Sequence, residues 1–286
     1  MTLYTKTCFD CSKIITNNYS TSFSLGIKAF SKELQNPIYA IYGFVRFADE
    51  IVDTFHDQDK NYLIKKFRAD TVEAIEQKVS LNPVLHAFQE VVNRYDIEFD
   101  LIDAFLKSME MDLDKTSYTD DSYKEYIYGS AEVVGLMCLR IFCNRNAKQY
   151  EELLPSARSL GSAFQKINFL RDIKSDYDER GRTYFPKVDF QNFTETDKSL
   201  IEADIKIDFD DAYEGIKNLP DGAKLGVYIA FVYYLELFKK IKNTPANTIA
   251  KERIRVSDSK KIVLMAQAMI KNKLFGTEEF LHYTPT

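Results

Sequence analysis

The scarcity of helix-breaking residues constrains the fold of this chain more than any other feature. Only 10 Gly and 7 Pro occur among 286 residues, which is few for a protein built from short strands and tight turns. Hydrophobic residues make up 45% of the chain and include 21 Phe and 18 Tyr, enough for a large core. In several long stretches they recur every three or four positions, the period of an amphipathic helix. We therefore predict an all-α fold with a single domain over 1–286.

The predicted helices follow one another without alternating strands. Pro37 suits the first turn of a helix, and apolar positions at helical spacing continue from Ile38 to Val52. Further helices are predicted over 60–78, 84–95, 101–111, 123–143, 155–174, 226–241 and 258–271. Residues 19–24 are typical of a polar helix start or a loop, and loops are predicted over 144–149 and 176–186. No internal repeat or linker divides the chain.

Charge, apolar runs and cysteine content argue against a nucleic-acid-binding protein, a membrane-spanning or secreted protein, and a disulfide scaffold. The net charge of −5 and the lack of a continuous Lys/Arg tract disfavour binding to nucleic acid, which needs a basic face. No run of about 18 apolar residues and no secretory signal over 1–10 are found, so we expect a cytoplasmic protein. The four cysteines, Cys8, Cys11, Cys138 and Cys143, are too few for a disulfide scaffold, and we expect free thiols.

Two groups of polar side chains interrupt apolar helices. Asp49 and Asp53 lie one helical turn apart and so point the same way, with Arg46 just before them. In the helix over 155–174, a second stripe steps by four residues, with Gln165 and Arg171 beside it. Its members are Asn168, Asp172 and Asp176.

Acidic side chains are seldom buried without a partner. Magnesium prefers oxygen ligands and is usually held by one or two carboxylates together with substrate phosphates. Two facing oxygen-rich stripes would therefore suit Mg²⁺ bridging a diphosphate, with Arg46 and Arg171 on the phosphate oxygens. The alternative is that each stripe is simply a solvated helix face.

At these residues the chain resembles the squalene and phytoene synthase family, and within it the bacterial phytoene synthases. The resemblance rests on Asp-Glu-Ile-Val-Asp over 49–53, Asn-Phe-Leu-Arg-Asp over 168–172 followed by Asp176, and Gly-Arg-Thr-Tyr-Phe-Pro over 181–186. It extends over about 19–270. The chain departs from the family pattern at Glu50, where the family commonly has Asp, and in the segment 176–180, which is one residue longer.

The resemblance implies roles for particular residues. The metal ligands would be Asp49, Asp53, Asn168, Asp172 and Asp176. Catalysis would involve the four aspartates among them together with Tyr128 and Tyr234. Substrate contacts would come from Ser20, Thr21, Ser22, Tyr42, Arg46, Gln165, Arg171, Tyr184, Arg253 and Lys261. Each tyrosine has an alternative role as a core aromatic in a Tyr-rich protein.

The same resemblance implies a helical bundle of the isoprenoid-synthase type around a central apolar cavity. The expected reaction joins two geranylgeranyl diphosphates head to head through a cyclopropyl intermediate, prephytoene diphosphate, and gives phytoene for carotenoid biosynthesis. It requires Mg²⁺ or Mn²⁺ and no nicotinamide cofactor. We expect the cavity to be lined by Phe23, Phe44, Val133, Leu136, Met137 and Phe164.

Three alternatives stay open at this stage. Dehydrosqualene synthase uses the fifteen-carbon farnesyl diphosphate with the same motifs. Squalene synthase needs a nicotinamide reductant and often has a C-terminal anchor, which the end of this sequence does not suggest. A non-catalytic relative could act as a binding or assembly protein, although the aspartate pairs are intact. We expect a monomer or weak dimer and leave peripheral contact with a membrane open.

Overall fold

Helices make up almost all of the regular structure. The computed structural model describes residues 1–114 and 116–279, and these contain thirteen α-helices and no strand, apart from one isolated parallel bridge between Ser117 and Thr183. The helices are α1 Leu3–Tyr19, α2 Thr21–Ile27, α3 Lys32–Asp53, α4 Lys60–Gln77, α5 Pro83–Tyr95, α6 Phe99–Asp114, α7 Asp120–Ile127, α8 Val133–Cys143, α9 Ala147–Arg180, α10 Glu195–Lys217, α11 Asp221–Lys242, α12 Ala246–Ile249 and α13 Asp258–Glu279. The all-α prediction is confirmed.

Two predicted helix starts are wrong, both at a proline. Helix α3 begins at Lys32 and contains Pro37, and α9 begins at Ala147 and contains Pro155. A proline removes one backbone hydrogen bond inside a helix, and the packed apolar face of each helix tolerates that loss. Helix α9 also continues to Arg180, so the loop predicted over 176–186 begins only at Gly181.

Neither α1 nor α10 is among the predicted helices. Thr194 caps α10 in a capping box with Asp197, a sequence signal that the hydrophobic period alone does not register. The predicted helix over 123–143 is also divided. A π-helical turn, Tyr128–Glu132, joins α7 to α8, and a short 3₁₀ turn, Phe190–Asn192, precedes α10.

The core has two parts that share α3. In the first, α3 packs against α4, α5 and α6 through stacked rings, with the centroids of Phe44 and Phe88 3.8 Å apart. In the second, α3 contributes Ile38 to the lining of a cavity that α2, α8, α9, α10, α11 and α13 also surround. The segment Asp120–Cys143 is apolar enough by length and composition to cross a membrane, but half of its most apolar window is buried. Its contacts with α6 and α9 are those of a core helix.

Candidate active site

An apolar cavity of about 330 Å³ follows α9 through the second part of the core. Its lining extends along that helix from Arg171 back to Leu153, which corresponds to about 27 Å at the helical rise. The polar end is lined by Ser20, Arg171, Tyr233, Tyr234 and Lys261. The opposite, apolar end is lined by Phe30, Phe142, Leu153 and Leu219. The cavity therefore has one end suited to a charged group and another suited to a hydrocarbon.

The predicted cavity lining is partly wrong. Phe23 and Phe164 line the cavity, but Phe44 is stacked in the core with Phe88. Val133, Leu136 and Met137 are also buried in the core, whereas the lining from α8 includes Val134, Gly135 and Cys138. The π-helical turn before α8 shifts the direction of its side chains, so the face of α8 was misassigned from a regular helical period.

Glycine brings α8 and α9 close together beside the cavity. A Cβ atom at Gly161 would lie 2.8 Å from the carbonyl oxygen of Ala131, and one at Gly135 would lie 3.1 Å from that of Ala157. Both glycines line the cavity. The absence of a side chain at these two positions therefore lets α8 and α9 approach closely.

The first acidic group lies at the end of α3. Arg46 pairs with Glu50 and lies 3.7 Å from Asp49. Although 34% of the Asp49 side chain is exposed, its carboxyl group lies deep among protein atoms, and this burial raises its pKa to about 7. Arg46 opposes the rise, and the neighbouring carboxylates of Asp53 and Asp112 add to it. Negative charge at this position is therefore only partly compensated by protein groups.

Arg182 connects this acidic group to α6. Its Nη1 atom lies 4.0 Å from Asp53 and 3.4 Å from Asp112, and its Nη2 atom donates a 2.6 Å hydrogen bond to the Asp112 carbonyl oxygen. The Tyr126 hydroxyl donates to the Asp112 carboxylate at 2.8 Å. Arg182 and Asp112 are both buried, so they form a charged link between α3, α6 and the segment after α9.

Gly181 places Arg182 by ending α9 in the left-handed conformation, at φ +63°, which glycine adopts without strain. The Arg182 amide then donates back to the Asp176 carbonyl oxygen at 2.9 Å, and the Thr183 amide donates to the Thr116 carbonyl oxygen at 2.9 Å. The first bond ties the loop back to α9, and the second ties it to the segment that follows α6.

The second acidic group lies on α9 and is surrounded by cations. Asp172 lies 2.5 Å from Arg171 Nη2 and 2.7 Å from Arg253 Nε. One turn earlier, Asn168 accepts a 3.2 Å hydrogen bond from the Tyr234 hydroxyl and donates to Gln165 at 3.4 Å. The sequence prediction that α9 presents this polar stripe on one side is consistent with these contacts.

The two acidic groups are joined through Tyr42 and Tyr234, and again through Tyr184 and Arg182. Tyr42, on α3, interacts electrostatically with both Asp49 and Tyr234, and the Tyr234 hydroxyl bonds to Asn168 of the second group. Tyr184 interacts with Asp176 and with Arg182, which lies beside Asp53. These interactions link the two acidic groups beside Arg171 and Tyr234 of the cavity lining, although none of the five predicted metal ligands is itself among the residues that line this cavity.

The remaining predicted substrate contacts have mixed positions. Ser20 caps α2 by accepting a hydrogen bond from the Phe23 amide at 3.2 Å. Ser20 and Lys261 both line the cavity. The Lys261 ammonium lies 5.7 Å from the centroid of the Tyr233 ring. Tyr42 stacks on Phe23 at 4.7 Å. The side chains of Thr21 and Ser22 lie outside the described residues.

Of the four predicted tyrosines only Tyr234 is among the residues that line the cavity, and Tyr42, Tyr128 and Tyr184 are not. Tyr128 lies on the π-helical turn with Arg158 5.2 Å from its ring centroid. Tyr184 is buried against Phe169, with ring centroids 4.0 Å apart. Within 1–114 and 116–279, no three His, Cys, Asp or Glu side chains are grouped closely enough to hold a metal ion by themselves.

Sequence reasoning missed Asp112, Tyr126 and Arg182 as members of this site. Arg182 lies inside the quoted loop motif, but its direction depends on the end of α9, which was predicted six residues too early. Asp112 follows the predicted helix over 101–111 by one residue, and an acid at the edge of an apolar helix resembles an ordinary solvated helix end. Only the contact with Arg182 distinguishes it.

Comparisons with known proteins agree with this geometry. The sequence model of the squalene/phytoene synthase family matches residues 16–260. The chain is 24% identical to phytoene synthase 1, chloroplastic, from Zea mays over 94% of this chain and 70% of that protein. It is 29% identical to 4,4'-diapophytoene synthase from Staphylococcus haemolyticus over 66% of each.

Among solved structures, a dehydrosqualene synthase in complex with ligand superposes with a TM-score of 0.79 at 22% identity, covering 95% of this chain and 98% of that one. At this identity the superposition establishes the shared fold alone. The family match covers most of the chain and includes both acidic motifs. The chain therefore belongs to the squalene/phytoene synthase family, whose members are prenyltransferases that act on isoprenyl diphosphates.

Proposed function

We propose that this protein is a phytoene synthase, which joins two geranylgeranyl diphosphates head to head in carotenoid biosynthesis. The observation that carries the proposal is that two carboxylate-bearing helices, with interleaved arginines, are linked beside Arg171 and Tyr234, which line a long apolar cavity. A diphosphate would lie at the polar end, and its isoprenoid chain would extend along α9 toward Leu153. Relatives named phytoene synthase match over most of the chain.

A divalent cation would be held beside the polar end by the carboxylates of Asp49, Asp53, Asp172 and Asp176 and the Asn168 amide oxygen. In the described part of the chain no three acidic side chains are grouped closely enough to hold a metal ion alone, so the substrate diphosphate would supply further oxygen ligands. Burial raises the pKa of Asp49 to about 7, and a nearby cation would favour its ionised form. Mg²⁺, or Mn²⁺ in its place, would stabilise the departing diphosphate. No nicotinamide cofactor is part of the proposed reaction.

The residues of the chain would bind the substrates and exclude water. Arg171 and Arg253, which pair with Asp172, would exchange part of that contact for phosphate oxygens, and Arg46 would do the same from α3. The C1–O bond of one substrate breaks, and the double bond of the second attacks the resulting cation. Loss of one proton then gives the cyclopropyl diphosphate.

The second half of the reaction breaks the remaining C1–O bond. Rearrangement and loss of another proton give phytoene, so no reductant is consumed. The stacked rings of Phe164 and Tyr234, with centroids 3.8 Å apart, lie where the cationic carbons would form. Aromatic faces stabilise such cations by about 0.5–2 kcal/mol each, and the apolar lining excludes water that would capture them.

A second candidate is the fifteen-carbon reaction of dehydrosqualene synthases. The 29% identity to 4,4'-diapophytoene synthase and the superposition on a dehydrosqualene synthase favour it. The acidic motifs serve both reactions, because the length of the apolar cavity selects the substrate. Squalene formation would differ only by consuming a nicotinamide reductant.

Incubation of the purified protein with Mg²⁺ and labelled geranylgeranyl diphosphate tests the proposal, with farnesyl diphosphate assayed in parallel. We expect a forty-carbon hydrocarbon that mass spectrometry identifies as phytoene and that a chelator abolishes. A thirty-carbon product alone would establish the second candidate. Failure to convert either substrate, with intact helical structure, would support a non-catalytic binding protein.

A further inference from the structure

Arg46 is held by one aromatic ring and two carboxylates. Its guanidinium carbon lies 4.4 Å from the centroid of the Tyr19 ring, within the range of a cation–π contact. Its Nη2 atom pairs with Glu50, and its Nη1 atom lies 3.7 Å from Asp49. The guanidinium therefore makes its closer ion pair with Glu50 and not with Asp49, the predicted metal ligand.

Tyr19 and Glu50 also contact each other. Tyr19 is the last residue of α1, and Glu50 lies in the last turn of α3. Although burial opposes the change, hydrogen bonds with Arg46, Thr54 and Tyr19 hold the pKa of the Glu50 carboxyl group below its usual value. Tyr19, Arg46 and Glu50 thus form a closed group, the Arg46 clamp, in which each side chain contacts the other two. The clamp joins two helices, whereas the ion pair alone would stay within α3.

The Arg46 clamp lies beside the polar end of the cavity. Tyr19 directly precedes Ser20, which lines the cavity. Tyr42, one helical turn before Arg46, interacts electrostatically with Arg46 and with Tyr234, which also lines the cavity. Arg46 is therefore connected to the polar end, although it is not itself a lining residue.

One donor of Arg46 is unused. Among the residues that the structure describes, its Nε–H group is buried and has no hydrogen-bond partner. A buried donor without an acceptor costs free energy, so the contacts of the Arg46 clamp must maintain this orientation. Phosphate oxygens accept strong charge-assisted hydrogen bonds from arginine. The unused N–H group is therefore suited to an anionic oxygen of a ligand.

Glu50 competes with Asp49 for the same cation. Opposite charges attract strongly at about 4 Å, even near a protein surface, and Arg46 Nη1 already lies 3.7 Å from Asp49. Without a negative charge at position 50, the guanidinium would move onto Asp49 and oppose a divalent cation there. The family commonly has Asp at this position. The side chain of Glu is one methylene group longer, which helps it to reach back one helical turn to Arg46.

We infer that Tyr19 and Glu50 are positioning residues that hold Arg46 away from Asp49 and present its Nε–H group to a phosphate oxygen of the substrate. Both residues act through Arg46 and not on the reacting carbons. Asp49 then keeps its negative charge for the divalent cation. The phosphate contact rests on the proposed function, whereas the orientation of Arg46 does not.

Calorimetric titration of the full-length protein with inorganic diphosphate and Mg²⁺ tests the inference without turnover. We expect Glu50→Gln to weaken binding by about tenfold, because Arg46 then pairs with Asp49. Tyr19→Leu should weaken it by about twofold to fivefold, the value of a partly exposed cation–π contact. Tyr19→Phe keeps the ring and should recover most of this loss. Equal losses in Tyr19→Phe and Tyr19→Leu would overturn the role of the ring.

A double-mutant cycle with Arg46→Met shows whether Glu50 acts through Arg46. Arg46→Met alone should weaken diphosphate binding by about tenfold, because a charge-assisted contact is lost. The double variant Glu50→Gln/Arg46→Met should bind no more weakly than Arg46→Met, since the two changes break one interaction. Losses that multiply would show that Glu50 acts on the ligand independently, and would overturn its positioning role.

Matched controls come from similar contacts outside the site. Lys206 and Asp210 on α10 form an ion pair with the same spacing at 2.7 Å. Tyr4 lies on α1 with Tyr19, about 22 Å away along the helix, and is 43% exposed compared with 50% for Tyr19. Asp210→Asn and Tyr4→Leu should bind diphosphate as the wild type does. Equal losses in these controls, or no binding by the wild type, would overturn the inference.

Two further results separate this inference from the proposed function. A crystal structure of Glu50→Gln should show the Arg46 guanidinium paired with Asp49, and an unmoved guanidinium would overturn the competition between the two carboxylates. Diphosphate binding with the expected pattern, but no hydrocarbon from either isoprenyl diphosphate, would overturn the proposed enzyme activity and leave the positioning roles intact.

Discussion

Arg182 is held by Asp112 through two separate contacts. Its Nη2 atom donates to the Asp112 carbonyl oxygen at 2.6 Å, and its Nη1 atom lies 3.4 Å from the carboxylate. The same Nη1 atom is 4.0 Å from Asp53. Asp112 therefore draws the guanidinium away from Asp53, which leaves the Asp53 carboxylate better able to bind another cation.

Asp112→Asn tests this positioning role. We expect a loss of about 3 kcal/mol in the free energy of unfolding, because a buried arginine loses its counter-charge. We also expect a higher Mg²⁺ concentration for half-maximal product formation, because Arg182 then pairs with Asp53. Tyr126→Phe is the matched control, since it removes one hydrogen bond to the same carboxylate and should cost about 1 kcal/mol. An unchanged Mg²⁺ requirement in Asp112→Asn would refute the positioning role.

Asp172→Ala is expected to reduce kcat by about a thousandfold, because several kcal/mol of leaving-group stabilisation depends on the metal. Asp49→Ala should have the same effect from the other helix. Circular dichroism should show an unchanged helical fold. Asp70→Ala on α4, which removes an exposed partner of Lys66, should retain full activity. Wild-type turnover in Asp172→Ala would exclude the metal assignment.

The raised pKa of Asp49 predicts that, in the metal-free protein, ionisation of this carboxyl group lowers the free energy of unfolding. A carboxyl group whose pKa is about 7 in the folded protein and 3.8 in the unfolded chain is destabilising when ionised, so the cost is absent below about pH 3.8 and complete above about pH 7. After discounting for its partial exposure, Asp49→Asn should stabilise the protein by about 1–2 kcal/mol at pH 8. The difference should vanish toward pH 4 in denaturation experiments. An equal effect at both pH values would contradict the assignment.

Cys138 offers a chemical probe of the cavity. It lines the cavity, and burial raises the pKa of its thiol to about 12, so its alkylation by a maleimide should accelerate steadily up to at least about pH 10, because the thiolate reacts. A non-hydrolysable isoprenyl thiodiphosphate with Mg²⁺ should protect Cys138 while leaving Cys11 reactive. Peptide mapping by mass spectrometry measures both sites. Protection of neither cysteine would show that the ligand does not enter the cavity.

Ala157→Leu should narrow the cavity toward its apolar end, because Ala157 lines the cavity and lies on α9 about one turn from Leu153. We expect kcat/KM for geranylgeranyl diphosphate to fall by about tenfold or more relative to farnesyl diphosphate, since a few methylene groups in an apolar pocket carry that much discrimination. Ala203→Leu, on the exposed side of α10, is the control. Equal losses for both substrates would argue against chain-length selection at this point.

The sequence predicted the helical class and the two acidic stripes because both depend on local spacing. Asp49 and Asp53, or Asn168 and Asp172, share a side of their helix wherever that helix packs. Their convergence required two facing helices, which the sequence could only suggest through the family resemblance. Tyr42 and Tyr234, 192 positions apart in the numbering, illustrate an electrostatic interaction that no local pattern reports.

The parts that the sequence did not predict have specific physical causes. The π-helical turn at 128–132 adds no visible sequence signal, yet it moves Val134 and Cys138 to the cavity in place of Val133 and Met137. Prolines inside α3 and α9 were mistaken for helix starts. Arg182 was quoted only as part of a motif, because its partner Asp112 is 70 residues away.

Helix α9 is one uninterrupted helix that carries both the polar stripe and one apolar wall of the cavity. Each turn advances by 5.4 Å, so an isoprenoid chain bound along the cavity as proposed would be measured in fixed steps from Arg171 toward Leu153. A single bulky residue at one of these steps would then set the product size without altering a carboxylate. Enzymes of this family can therefore diverge in chain length while their acidic motifs stay the same, and the motifs alone do not report which hydrocarbon is made.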